Sequence, residues 1–243
     1  MNHSILLITG WGGGTQLLHP LKQALQHNGH TVDVINIFDA FDSTVLQEKV
    51  ELARHYEVII GWSLGGQLAA VLVNEIDKQY GEQKILISLA SNPCFVANDF
   101  WHSAMSVTTF KAFKQAFEND AISTLKRFGY MVCQGVTTTK ADLLTLQSLI
   151  QPQSMQLLKQ GLKLLEKLNV VEILKYYSGQ QYHIFASKDA LVTYQVVDNL
   201  RNLTAKFLTL GCISGSHGFP VFQSADTSAS ISEYLKKIKQ SPS

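Results

Sequence analysis

The hexapeptide Gly61-Trp62-Ser63-Leu64-Gly65-Gly66 constrains this chain more than any other segment. An apolar β-branched run, 56–60, precedes it, and a helix-length segment, 64–78, follows it. G-x-S-x-G between a strand and a helix holds a serine in a sharp, strained turn, and neighbours without side chains let the backbone reverse there. A serine at the start of a helix is also surrounded by outward-pointing N–H groups, which stabilise developing negative charge. A glycine-rich turn with an incidental serine would not need both flanks.

The rest of the chain supplies the setting that such a turn requires. Nearly continuous apolar runs at 5–8, 31–37, 56–60, 84–89, 182–186 and 205–210 read as strands. Lack of strict alternation is the mark of parallel strands covered on both faces. Helical stretches lie between them at 16–28, 43–55, 64–78 and 194–202, with a last one at 229–239. This βα alternation predicts an α/β fold, a mostly parallel sheet of about six strands with helices on both faces. Between 94 and 179 the alternation stops. Amphipathic patterns at 107–117, 121–133, 141–149 and 154–168 predict an all-helical insertion of about 80 residues, read as a cap or lid. The expected domains are therefore a core, 1–94 and 179–243, and an inserted helical cap, 95–178. The tail, 240–243, is expected to fray.

A serine hydroxyl is a weak nucleophile at neutral pH and needs a base. In chain order the partners of such a serine run Ser, then Asp or Glu, then His, on loops after late strands. Among eight histidines, His217 in Gly215-Ser216-His217-Gly218-Phe219 follows the last strand and precedes the last helix. His183 falls inside a strand run, His27 and His30 flank Gly29 at a helix end, and His102 lies in the insertion ahead of any suitable acid. Asp189 follows the strand 182–186, whereas Asp198 sits in a helical pattern and is better explained as solvated. The expected triad is Ser63, Asp189 and His217. For the oxyanion one N–H comes from Leu64, and the other from the loop after the first strand, Gly10-Trp11-Gly12-Gly13-Gly14. That loop also admits a phosphate-binding reading, but Asp39 and Asp42 are the sole acids near the required place, and the serine turn already supplies a complete explanation.

Composition excludes other classes. Hydrophobic residues make up 46% of 243 residues, enough apolar surface to offset chain ordering. Twenty basic residues balance 19 acidic ones, for a net charge of +1, which argues against nucleic acid. No apolar run approaches the roughly 18 residues that span a bilayer. Cys94, Cys133 and Cys212 show no metal-ligand spacing and are expected to be free, mostly buried thiols of a reducing compartment. With no basic n-region and an apolar run of four residues at 5–8, a signal peptide is not expected, and the cytoplasm is the expected location. No metal or cofactor is called for, and a monomer is expected.

Together, Gly10-Trp11-Gly12, the serine turn, Ala90-Ser91-Asn92-Pro93-Cys94-Phe95, Arg127-Phe128 and Gly161-Leu162-Lys163-Leu164-Leu165 resemble the α/β-hydrolases that cleave the methyl ester of pimeloyl-acyl-carrier protein in biotin synthesis. The likeness runs from about residue 5 to 235. It implies an α/β-hydrolase fold and a serine carboxylesterase, with Ser63, Asp189 and His217 as triad and the Trp11 and Leu64 N–H groups as oxyanion hole. It further implies substrate contacts from Trp11, Trp62, Ser63, Leu64, His217 and the cap segment Phe128, Gly129, Tyr130, Met131 and Val132. Basic cap residues of that family contact the acidic carrier protein. Arg127 and Lys140 match two of them by position, while Ser123 and Leu144 stand where two others would be. Thr9 replaces the histidine common before Gly-Trp, and with the first strand expected at 5–8 no N-terminal hairpin is expected ahead of it.

Between residues 96 and 178, nine basic residues face six acidic ones, so the insertion carries +3 and the remainder −2. A positive cap suits an acidic macromolecular substrate, mainly by steering. Lys159, Lys163 and Lys167, spaced by four, are equally well read as one solvated helix face. Two or three of the insertion's aromatics are expected to face an acyl channel. The alternatives are another cap-bearing hydrolase, acting on a small ester, a thioester or a C–C bond, and a non-catalytic binding module.

Overall fold

The computed structural model describes residues 2–240, so the tail 241–243 lies outside the described residues. Six strands form one parallel sheet: β1 (Ser4–Ile8), β2 (Thr31–Ile35), β3 (Val58–Trp62), β4 (Ile85–Leu89), β5 (Gln181–Ala186) and β6 (Leu208–Ile213). Their order is β2-β1-β3-β4-β5-β6. The sequence reverses its direction of growth beside β1, and ligands of such sheets bind past the strands' carboxyl ends at that point.

Alternate residues of the central strands enter different cores. Leu6 and Ile8 of β1 join one apolar cluster with α2 (Ser43–Arg54) and α3 (Leu64–Tyr80), through Val50, Ala53, Leu68 and Leu72. Ile5 and Leu7 join a second with α1 (His19–His27) and the last helix, through Leu21, Leu25, Ile231 and Leu235. All five residues of β3 are buried, which explains its unbroken apolar run. The edge strands β2 and β6 are half exposed. That weaker signal accounts for two displaced boundaries, since 31–37 and 205–210 become Thr31–Ile35 and Leu208–Ile213. The expected helix 16–28 divides into a 3-10 turn, Thr15–Leu18, and α1, because Pro20 lacks an N–H and seeds a new first turn.

Helices α4 (Val107–Asn119), α5 (Ala121–Cys133), α6 (Thr139–Leu149), α7 (Met155–Lys167) and α8 (Val171–Tyr176) lie between β4 and β5. Ser106, Asp120 and Ser154 cap α4, α5 and α7, accepting from Thr109, Ser123 and Leu157 N–H at 3.1, 3.0 and 3.2 Å. A cap of this kind contributes roughly 1 kcal/mol and states where each helix begins. Among the described residues these helices form no apolar cluster of their own. Phe110, Phe117, Leu158 and Leu162 extend the first cluster, and Val132, Cys133 and Leu146 extend the second. The chain closes with α9 (Val196–Asn202), α10 (Phe219–Phe222) and α11 (Ser224–Gln240). Six-residue α8 and four-residue α10 are too short for periodicity to reveal. α11 begins five residues before the expected 229, its buried Thr227 and Ser228 having read as loop. No helix among the described residues is long and apolar enough to cross a membrane. The three cysteines are free; Cys94 and Cys133 are buried, and Cys212 is exposed.

Candidate active site

Ser63 stands between β3 and α3 at φ 56° and ψ −122°, a conformation that costs a non-glycine residue about 1–3 kcal/mol. Close approach explains why glycines surround it. A Cβ on Gly61 would lie 1.9 Å from Gly65 O, and one on Gly65 would lie 2.3 Å from Ile8 O. Any side chain there meets backbone, which cannot move aside without breaking β1 or α3. Ser63 N–H donates to Leu89 O at 2.8 Å, tying the turn to β4.

Two more strand ends bring His217 and Asp189 together. His217 follows β6 and is 1% exposed. Its Nδ1 lies 2.8 Å from Asp189 Oδ2, on the loop after β5. The other carboxylate oxygen of Asp189 accepts N–H groups of Leu191 and Val192 at 2.8 and 2.9 Å. An acid held by backbone on one oxygen presents the other in a fixed direction. The Trp62 indole donates to His217 O at 3.0 Å and fixes the imidazole's own backbone. Ser63 and His217 line the same two cavities without a hydrogen bond between them; such bonds tighten when substrate is present. Competing candidates are accounted for elsewhere. His183 is buried, with Nδ1 2.6 Å from Ser88 Oγ, and burial pushes its pKa down to about 4. Asp198 pairs with Arg201 on the surface.

Beside the serine, the Gly10–Gly14 loop carries Trp11, whose indole is 4% exposed and donates to Leu158 O of α7 at 2.9 Å. Gly161 permits this: a Cβ there would stand 2.3 Å from the Trp11 ring. Phe128 of α5 meets the same ring edge-on at 5.0 Å.

A cavity of about 520 Å³ lies over Ser63, walled by Trp11, Trp62, Phe128, Gly129, Val132 and His217 among others. Leu125, Phe128, Gly129 and Val132 recur at helical spacing, so one face of α5 forms its wall. The five consecutive residues expected from Phe128 to Val132 cannot share that face. Tyr130 is 48% exposed and borders neither cavity over Ser63, while Met131 borders a second, smaller cavity. The Leu64 side chain is fully buried and lines neither. Helical spacing from Phe128 would have disclosed Leu125; nothing local in the sequence marks Leu143, Leu146 or Met155. Four of the insertion's aromatics, Phe95, Phe110, Phe113 and Phe128, border one or both cavities, and Phe100 is 94% exposed. Arg127 and Lys140 are exposed on α5 and α6. Among the described residues no group of three His, Cys, Asp or Glu side chains could hold a metal ion.

No protein-family model matches the chain. It is 26% identical over 213 residues to proteins named pimeloyl-[acyl-carrier protein] methyl ester esterase from Salmonella heidelberg and Salmonella typhimurium, covering 83% of this chain and 82% of theirs. Similar solved structures include a bromoperoxidase from Bacillus anthracis, with TM-score 0.81, 16% identity and 97% and 92% of the two chains covered. Another is an esterase from Exiguobacterium antarcticum, with TM-score 0.77, 15% identity and coverage of 96% and 91%. The chain has the α/β-hydrolase fold, and the curated proteins that it resembles in sequence carry the name of an ester hydrolase.

Proposed function

We propose that this protein is a serine carboxylesterase that hydrolyses the methyl ester of pimeloyl-acyl-carrier protein. The observation that carries the reading is the buried Asp189–His217 pair, 2.8 Å apart, facing the cavity in which the strained turn presents Ser63. The names of the curated relatives support the choice of substrate.

In this mechanism Ser63 Oγ attacks the ester carbonyl as His217 Nε2 takes its proton. Asp189 holds Nδ1–H and stabilises the imidazolium. Trp11 and Leu64 N–H groups receive the oxyanion; neither donates to a backbone acceptor among the described residues. Collapse breaks the C–O bond, and His217 returns the proton to methoxide, releasing methanol. Water then attacks the acyl-serine with His217 again as base, giving the free acid. The apolar cavity suits a medium-length acyl chain. Helices α4–α8 serve as the cap, with Arg127 and Lys140 as candidate contacts for an acidic carrier.

Complementation of a biotin auxotroph that lacks this esterase tests the assignment. Growth on biotin-free medium is expected, with none from Ser63→Ala. Absence of growth, combined with Ser63-dependent cleavage of simple esters, would reassign the chain to another cap-bearing hydrolase.

A further inference from the structure

Two cavities meet over Ser63, and they differ in size and in access. The larger, about 520 Å³, includes the exposed side chains Ile122, Lys126, Gln147, Ile150 and Met155, which make a mouth to solvent. The smaller is about 60 Å³, room for a few water-sized groups, and none of its lining residues is exposed. Trp11, Ser63, Phe128 and His217 belong to both walls, so the reacting carbon lies where the two spaces join. Met105, Phe110, Leu165 and Leu191 line the smaller space alone. Outside the shared wall its polar side chain is Asn92, already committed, accepting from Trp101 Nε1 at 2.8 Å and donating to Ser103 O at 2.7 Å.

We infer that the smaller cavity is the alcohol-side subsite, and that Met105, Phe110, Leu165 and Leu191 limit the alcohol to one or two carbons. An ester carbon carries two substituents, and two spaces meet at the serine. A chain tethered to something larger must use the space that has a mouth. The substituent left for the narrow space is the alkoxy group, whose oxygen must reach His217 to be protonated as the C–O bond breaks. A narrow apolar space of about 60 Å³ has no free donor to hold a polyol and no length for a butyl chain. This reading rests on the esterase mechanism above and adds the residues that select the alcohol.

The test is kcat/KM of the wild-type protein on methyl, ethyl, butyl and hexyl octanoate, and on octyl acetate. At least a tenfold fall is expected from methyl to butyl, and octyl acetate is expected to be cleaved more slowly than methyl octanoate. Met105→Ala removes three heavy atoms, the number by which butoxy exceeds methoxy. Its backbone bonds, Met105 N–H to Phe95 O and Ala97 N–H to Met105 O, remain in place. The variant is expected to raise the butyl-to-methyl ratio about tenfold. Butyl octanoate cleaved as fast as the methyl ester, or octyl acetate cleaved faster than methyl octanoate, would overturn the inference while leaving the esterase intact. No cleavage of any of the five esters, together with no labelling of Ser63, would instead fell the esterase reading beneath it. The wild-type series decides the matter even if the variant does not fold.

Discussion

The turn around Ser63 and the wall formed by α5–α7 border the same cavity but obey different constraints. Around Ser63, the atoms that forbid substitution are backbone: Gly65 O beside Gly61, and Ile8 O beside Gly65. In the helical wall, the atoms in the way are mainly side-chain ends, such as the Trp11 ring and Ile37 Cδ1 beside Gly161. Backbone cannot yield without breaking the sheet, whereas side chains repack at a cost of typically 1–3 kcal/mol. The difference separates two jobs. Strand ends hold Ser63, Asp189 and His217 in one geometry, and α5–α7 set the shape of the space above them with replaceable apolar groups.

Paired glycine substitutions put that contrast under the greatest load. Gly65→Ala drives a methyl group into Ile8 O and Thr9 O, at 2.3 and 2.4 Å. Its expected outcome is a loss of soluble folded protein, or of at least a thousandfold in kcat if the protein folds, read by circular dichroism and ester hydrolysis. Gly161→Ala meets the Trp11 ring at 2.3 Å but gains up to about 1 kcal/mol of helix propensity. A fall in Tm and a rise in KM are expected, with a kcat loss far below that of Gly65→Ala. Equal kcat losses in the two variants would erase the distinction between the two regions.

A smaller effect concerns the sheet beneath the site. His183 has an ordinary pKa of 6.5 in the unfolded chain, and burial lowers it to about 4 in the folded one. Between those values the unfolded state binds the proton and the folded state does not. Its stabilising contribution is therefore complete above pH 6.5 and is lost as the pH falls toward 4, on the order of 3 kcal/mol in all. Urea unfolding at pH 7.0 and 4.5 reads this. His183→Gln is expected to flatten the dependence, and an unchanged slope would show that other groups set it.

How far the sequence discloses this molecule follows from where its constraints lie. Buried β3 and the glycines after it are visible because burial on both faces and backbone contact each demand one residue type. The order of Asp189 and His217 on late loops is legible for a related reason: both follow buried or paired strands at short distance. Edge strands β2 and β6 bury one side and blur. The family resemblance implies a cavity contact for Tyr130, but a helix turns about 100° per residue and carries it to the outside. The wall contributed by α6 and α7 depends on how the insertion folds back over Trp11, a tertiary fact that no local pattern encodes.

If Ser63 is the nucleophile, an alkyl fluorophosphonate phosphonylates it. Intact-mass spectrometry is then expected to show a single adduct on the wild-type protein, mapped to the peptide containing Ser63, none on Ser63→Ala, and loss of ester hydrolysis in step with labelling. An unlabelled wild-type protein, or a Ser63→Ala variant that still carries the adduct and still cleaves methyl esters, would contradict that role for Ser63.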